Sequence, residues 1–403
     1  MSGATTNEAA VGVRHPGGGE RAHLSRAYLF RAHWAIGWVV GLACLVLFAV
    51  AADRMLGANY LPGLIASVWV SGARPSAIGG QWLVALLLDL AHRVPGAGPE
   101  LLVALTVVTG AAIMGGFAAM LRRRHWAIWE AALAPMLLAL HPVMLWLATT
   151  GQPALLATLM VAILILSVDR AEAIGDAQSL MGLGLAAALL FLTSPNAIYV
   201  ALPVLTLLPV ALRGMDSAAA ALSLLLLAII PSIVVVGGIL IATVAVGLDA
   251  SAVMRLWAAP LHGSTAPAQL AAPFLVAFGG RFVASFRVML WLSVAAMPTV
   301  LVVALRLVLR SAERARPTTA LLTLLLVPFG GAMAMLAMHQ NTPIIAIGYA
   351  MAASMAWATT VRLSRLERLA WLVMMAAGDV AVLFLPWVWT GGNGAWLRAL
   401  MVG

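Results

Sequence analysis

An all-α, polytopic membrane fold is predicted for this chain of 403 residues. Three observations predict it. Hydrophobic residues make up 63% of the chain and charged residues 9%, too few to supply a soluble domain with a polar shell. Mean hydropathy is +1.03. Several apolar runs approach or exceed the roughly 20 residues that a helix needs to cross a ~30 Å hydrocarbon core, and they are continuous rather than alternating, which excludes a β-barrel.

Taken in order, eleven runs read as spans: 34–52, 100–121, 126–148, 153–168, 178–194, 196–212, 217–247, 286–309, 318–338, 342–361 and 369–389. The run at 217–247 is long for one upright helix and contains Pro231, so a tilt or a kink is expected. Residues 1–33 are polar, basic and glycine-rich, and read as a cytoplasmic tail without fixed structure rather than a signal peptide. Residues 34–390 form the transmembrane domain, and 391–403 a short outer tail.

The arginines orient the chain. All 23 basic residues are Arg, which together with the abundant alanine fits a GC-rich bacterial coding sequence. With the N-terminus inside, 16 arginines fall on inner segments and 7 on outer ones, as the positive-inside rule requires. The inner clusters are Arg122–Arg124, Arg306–Arg316 and Arg362–Arg368. An odd number of spans puts the C-terminus in the periplasm of an inner-membrane protein. Two outer segments are long. The first, 53–99, contains "GGQWLVALLLDLAHRV", which fits an amphipathic helix lying in the outer interface. The second, 248–285, is rich in Pro, Gly, Arg and aromatic residues and reads as interfacial or re-entrant.

Some chemistries are excluded. The net charge of +9 sets topology and is not a nucleic-acid footprint. There is no P-loop and no clustered His/Cys metal motif, and the one cysteine, Cys44, rules out an internal disulfide. No internal repeat supports an inverted-repeat transporter.

The informative residues are polar ones where lipid penalises them. Asp53, in "AVAADRMLGANYL", is an acid at the outer end of the first span. It can simply mark a helix emerging. It can equally accept a proton from a hydroxyl nucleophile, or hold a divalent metal. Arg255, His262, Arg281 and Arg287 gather basic groups on one outer segment, either snorkelling to lipid phosphates or forming a phosphate or pyrophosphate site. His339 and Gln340, in "MHQNTP", belong to a tight outer turn that is either solvated or in contact with a phosphate or sugar hydroxyls. "LHPVMLWLATTGQP" carries Pro142, which is expected to kink its helix. Glu130 reads as an acid snorkelling inward near Arg123 and Arg124, and Asp379 as a mid-span acid that is either hydrogen-bonded to a neighbouring helix or part of a proton relay.

This layout resembles the GT-C class of integral-membrane glycosyltransferases, over roughly residues 34–360. The match consists of Asp53 after the first span, the interfacial segment 81–93 and the basic turn Arg122–Arg124. To these it adds "ALAPMLLALHPVMLWLATTGQPALLATLM", "GLGLAAALLFLTSPNAIYVALPVL" and "HQNTPIIAIGYAMAASMAW". The resemblance implies transfer of a sugar from a polyprenyl-phosphate carrier to a periplasmic glycan or lipid-linked acceptor, with membrane lipid as the surroundings. It implies Asp53 as the base. Arg255, Arg281, Arg287, His262, His339 and Gln340 are then the donor-phosphate ligands. Members commonly carry two adjacent acids where this chain has Asp53-Arg54, and many add a soluble outer domain. Two other readings are a non-catalytic membrane subunit with the same fold, and a polysaccharide polymerase or flippase.

Overall fold

A computed structural model describes residues 18–57, 82–96, 98–151, 154–174, 176–198, 200–202, 204–205, 218–245, 251, 254, 344–360 and 363–383. The described elements are helical. In chain order they are α1 (Gly18–Gly57), α2 (Trp82–His92), α3 (Glu100–Arg123), α4 (Ile128–Leu140), α5 (Pro142–Thr149), α6 (Ala154–Ile174), α7 (Ala177–Thr193), α8 (Ala218–Ala245), α9 (Ile344–Thr360) and α10 (Arg365–Leu383). A single 3₁₀ turn, Pro195–Ala197, follows α7. Four helices among the described residues are long and apolar enough to cross a membrane, or five if the bent pair α4–α5 counts as one. They are the apolar part of α1 (Trp34–Arg54), α3, Ala154–Ala171 of α6 and Leu222–Ala242 of α8. The runs expected at 286–309 and 318–338 lie outside the described residues.

Several boundaries differ from the sequence reading. The helix containing the first span already begins at Gly18 and is 40 residues long. The run 126–148 is two helices bent by 73°. The cause is local: Pro142 has no N–H to continue the ladder, and it drives the preceding His141 to an extended conformation (φ −59°, ψ 129°). Pro231, by contrast, sits inside a helix that continues through it. A helix, α2, occupies most of the expected segment 81–93.

Packing relies on small residues, because lipid tails supply no hydrophobic force between helices and close contact must do so instead. Helices α1 and α3 cross backbone to backbone. A Cβ on Gly37 would meet Gly115 O at 2.7 Å, and one on Gly115 would meet Gly37 O at 2.6 Å. Further along, a Cβ on Gly110 would meet Phe48 Cε2 and Ala148 Cβ, each at 3.1 Å. Rising residue numbers on α1 therefore match falling ones on α3, and the two helices are antiparallel. A second crossing joins α7 to α8 at Gly184, where a Cβ would run into the Ala228 carbonyl oxygen. Ser232 Oγ donates to the Gly184 carbonyl at 2.6 Å and pins the contact.

Two apolar clusters result. The first joins α1, α3, α4, α5 and α10 through residues such as Phe48, Met114, Leu138, Met144 and Trp371. The second joins α6, α7, α8 and α9 through Val161, Leu183, Ala228 and Tyr349. Helix α9 bridges them, since Met351 and Met355 belong to the first and Tyr349 and Ala353 to the second.

Candidate functional site

The antiparallel pairing of α1 and α3 separates the two ends of the bundle. Asp53 lies five residues past Phe48, beyond the contact with Gly110, and so toward the Glu100 end of α3. The basic turn Arg122–Arg124 lies at the other end. Ala51 and Ala52 are each 5% exposed, and the next residue, Asp53, is exposed. Asp53 thus continues the exposed stripe that Leu42, Val46 and Val50 form along α1, at the point where the apolar run gives way to charge.

Other parts gather at the Asp53 end. Helix α2 packs against α3 and α7 through its apolar face, with Leu88 fully buried and Val84 and Ala91 nearly so. Its outward side exposes Leu86 and Leu90 and, at the C-terminal end, an Arg93–Asp89 pair at 2.7 Å. Gly151, in the left-handed region (φ +66°), brings the turn after α5 against the start of α3, where a Cβ would meet Leu102 Cβ at 3.4 Å. The polar pair before it is already satisfied. Thr149 Oγ1 donates to Leu145 O at 2.7 Å, and Thr150 Oγ1 donates to Trp146 O at 2.6 Å. The turn after α7 is also tied down, because Ser194 N donates to Leu190 O and Ala197 N to Ser194 O, each at 2.9 Å.

The basic end holds a dense polar cluster. Arg124 Nε donates to Thr359 O at 2.7 Å, linking α3 to the end of α9. Arg122 donates to Trp126 O at 2.6 Å. Glu130 Oε2 accepts from Ala127 N at 2.9 Å and caps the start of α4. The same oxygen lies 2.7 Å from Arg368 Nε. Glu130 therefore does not snorkel toward Arg123 and Arg124: its side chain is 1% exposed and paired with a residue of α10. Arg368 also stands over the Trp126 ring at 5.8 Å, and Trp126 meets Trp371 edge-on at 5.9 Å. Arg123 stands over the Trp34 ring at 5.7 Å. The start of α10 is a reciprocal capping box, in which Ser364 N donates to Glu367 Oε2 at 2.7 Å. The spacing Ser364–Glu367 is the sequence signal that marks this end of α10.

Two apolar grooves run along α3. One, of about 290 Å³, lies between α1 and α3 and is lined by Trp34, Trp38 and Leu45. The other, of about 420 Å³, lies between α3, α6 and α9 and is lined by Phe117, Leu159, Leu166 and Met355.

Of the residues singled out from sequence, Asp53 is described and stands exposed. Arg255, His262, Arg281, Arg287, His339 and Gln340 lie outside the described residues. Among the described residues no three His, Cys, Asp or Glu side chains gather as metal ligands. No family model, curated protein or solved structure matches this chain.

Proposed function

We propose that this chain is a GT-C-type membrane glycosyltransferase that takes a sugar from a polyprenyl-phosphate carrier. The observation that carries the reading is Asp53: an exposed carboxylate where the first apolar run ends, at the end opposite the basic turn Arg122–Arg124. A carboxylate there can orient an acceptor hydroxyl and take its proton as the hydroxyl attacks the anomeric carbon. Phosphate is the leaving group, so a second acid is not required to protonate it. Arg281 and Arg287, with His262, Arg255, His339 and Gln340, are the proposed donor ligands, since guanidinium forks bind phosphate bidentately. Two further observations support the reading: the amphipathic helix α2 at the Asp53 end, and apolar grooves along α3 suited to an isoprenoid chain.

The test is transfer from a synthetic polyprenyl-phosphate sugar by purified protein in proteoliposomes. Asp53→Asn is expected to lower turnover at least about 100-fold, the low end of a general-base contribution, with donor binding retained. Equal transfer by wild type and variant removes Asp53 as the base. Donor binding without transfer by either favours the non-catalytic subunit, a reading to which the neighbouring Arg54 lends weight as an internal partner for the acid.

A further inference from the structure

The ion pair between Glu130 and Arg368 also sets the register of the two helices that carry it. Both residues lie in the first turn of their helices, α4 and α10. Helix α10 packs against α4 and also against α5, which follows it. Ala134 and Leu138 of α4, Val143 and Met144 of α5, and Trp371, Leu372 and Met375 of α10 share one apolar cluster. The two helices therefore leave the pair side by side and in the same direction.

Eleven residues further along each chain stands a second ionisable group: His141 beyond Glu130, and Asp379 beyond Arg368. Eleven residues are about three turns, within roughly 20° of a whole number, and rise about 16 Å. The register thus places the second pair on the side the first occupies, just beyond Met375, the last residue of α10 in the apolar cluster, with Asp379 itself partly buried. His141 is fully buried. Its Nδ1 accepts from Val143 N at 3.2 Å, which leaves Nε2 to carry the proton of the neutral ring. That Nε2 and Asp379 Oδ1 are both buried, and neither has a hydrogen-bond partner among the described residues.

We propose that His141 and Asp379 form a proton-binding pair where α10 packs against the α4–α5 bend, bridged by one water molecule. One proton is shared between Nε2 and the carboxylate, either on the acid with a neutral imidazole or on the ring with a carboxylate. Both arrangements are net neutral, which avoids the cost of a lone charge in an apolar interior. The other ionisable groups on the packed elements sit elsewhere. Helix α3 has none between Glu100 and Arg122, α5 has none, and α6 has none before Asp169. Helix α1 contributes Cys44, which donates to Met136 Sδ at 3.7 Å, and the exposed Asp53 and Arg54, and α9 contributes Tyr349 in the second cluster. Arg365, Glu367 and Arg368 of α10 and Glu130 of α4 are at the basic end. The inference stands independently of the glycosyltransferase reading.

Infrared spectroscopy of proteoliposomes through a pH titration tests it. The carboxylic-acid carbonyl stretch that disappears in Asp379→Asn is the signal to follow. In His141→Gln its midpoint is expected to move by about one pH unit or more, a tenfold change in proton affinity. An unchanged midpoint, or no titrating Asp379 signal, would overturn the proposal. A second variant guards against misfolding of the first two. Asp379→His sets two imidazoles face to face, and zinc is then expected to raise its unfolding temperature but not that of the wild type. Absence of that difference overturns the proximity.

Discussion

Arg368 Nε and Glu130 Oε2 meet at 2.7 Å, with the Arg368 side chain 16% exposed and that of Glu130 1% exposed. A buried pair is a weak source of net stability, but removing one partner strands the other charge. Glu130→Met and Arg368→Met are each expected to destabilise the protein by about 3–5 kcal/mol. Replacing both with methionine is expected to recover much of that loss. Reversible unfolding in detergent micelles, run as a double-mutant cycle, measures the coupling.

Gly115 and Gly116 are neighbours with opposite surroundings. A Cβ on Gly115 meets backbone of α1, whereas one on Gly116 meets nothing within 4 Å. Gly115→Val is expected to cost at least about 1–3 kcal/mol by forcing α1 away from α3. Gly116→Ala is expected to be neutral or to stabilise by up to about 1 kcal/mol, through helix propensity alone. Unfolding temperatures of the two variants, measured in the same detergent, decide this.

Asp176 caps α7, with Oδ1 accepting from Ser179 N at 2.8 Å and from the Ser179 hydroxyl. The bond from the Ser179 hydroxyl, then the one from its backbone N–H, holds the carboxyl below its ordinary value. A depressed folded pKa gives stability that is present above the unfolded value near 3.8 and lost as pH falls through the folded one. The unfolding temperature of the wild type is therefore expected to fall on acidification over that range, and Asp176→Asn to lose this component while keeping an N-cap. Thermal unfolding of both proteins from neutral to strongly acidic pH checks it.

How legible these features were depends on how local their causes are. Helix α2 was readable because an apolar face and its charged end, Asp89 to Arg93, lie within one short segment. The bend at Pro142 was readable as a kink, since proline acts on its immediate neighbours, but its size was not. That depends on His141 adopting an extended backbone. The exposure of Asp53 followed from its place just past an apolar run. The partner of Glu130 was not readable. Three arginines stood close by in sequence, whereas the one that reaches it is on α10 and is brought there by packing around Trp126 and Trp371. The pairing of Gly37 with Gly115 was hidden for the same reason: glycines are common in this chain, and only the crossing point selects these two.

The bonds that tie the α3–α4 turn to the α9–α10 turn also constrain how the chain is made. Arg124 and its acceptor Thr359 are separated by 235 positions. At roughly 5–20 residues per second, synthesis takes on the order of ten to fifty seconds to cover that distance. For nearly all of that interval Glu130 has left the ribosome and Arg368 has not. The nascent chain must therefore wait with an unmatched acid at the start of α4, sheltered by headgroups, water or the insertion machinery. The last helices to emerge complete a contact whose first half was laid down early in translation.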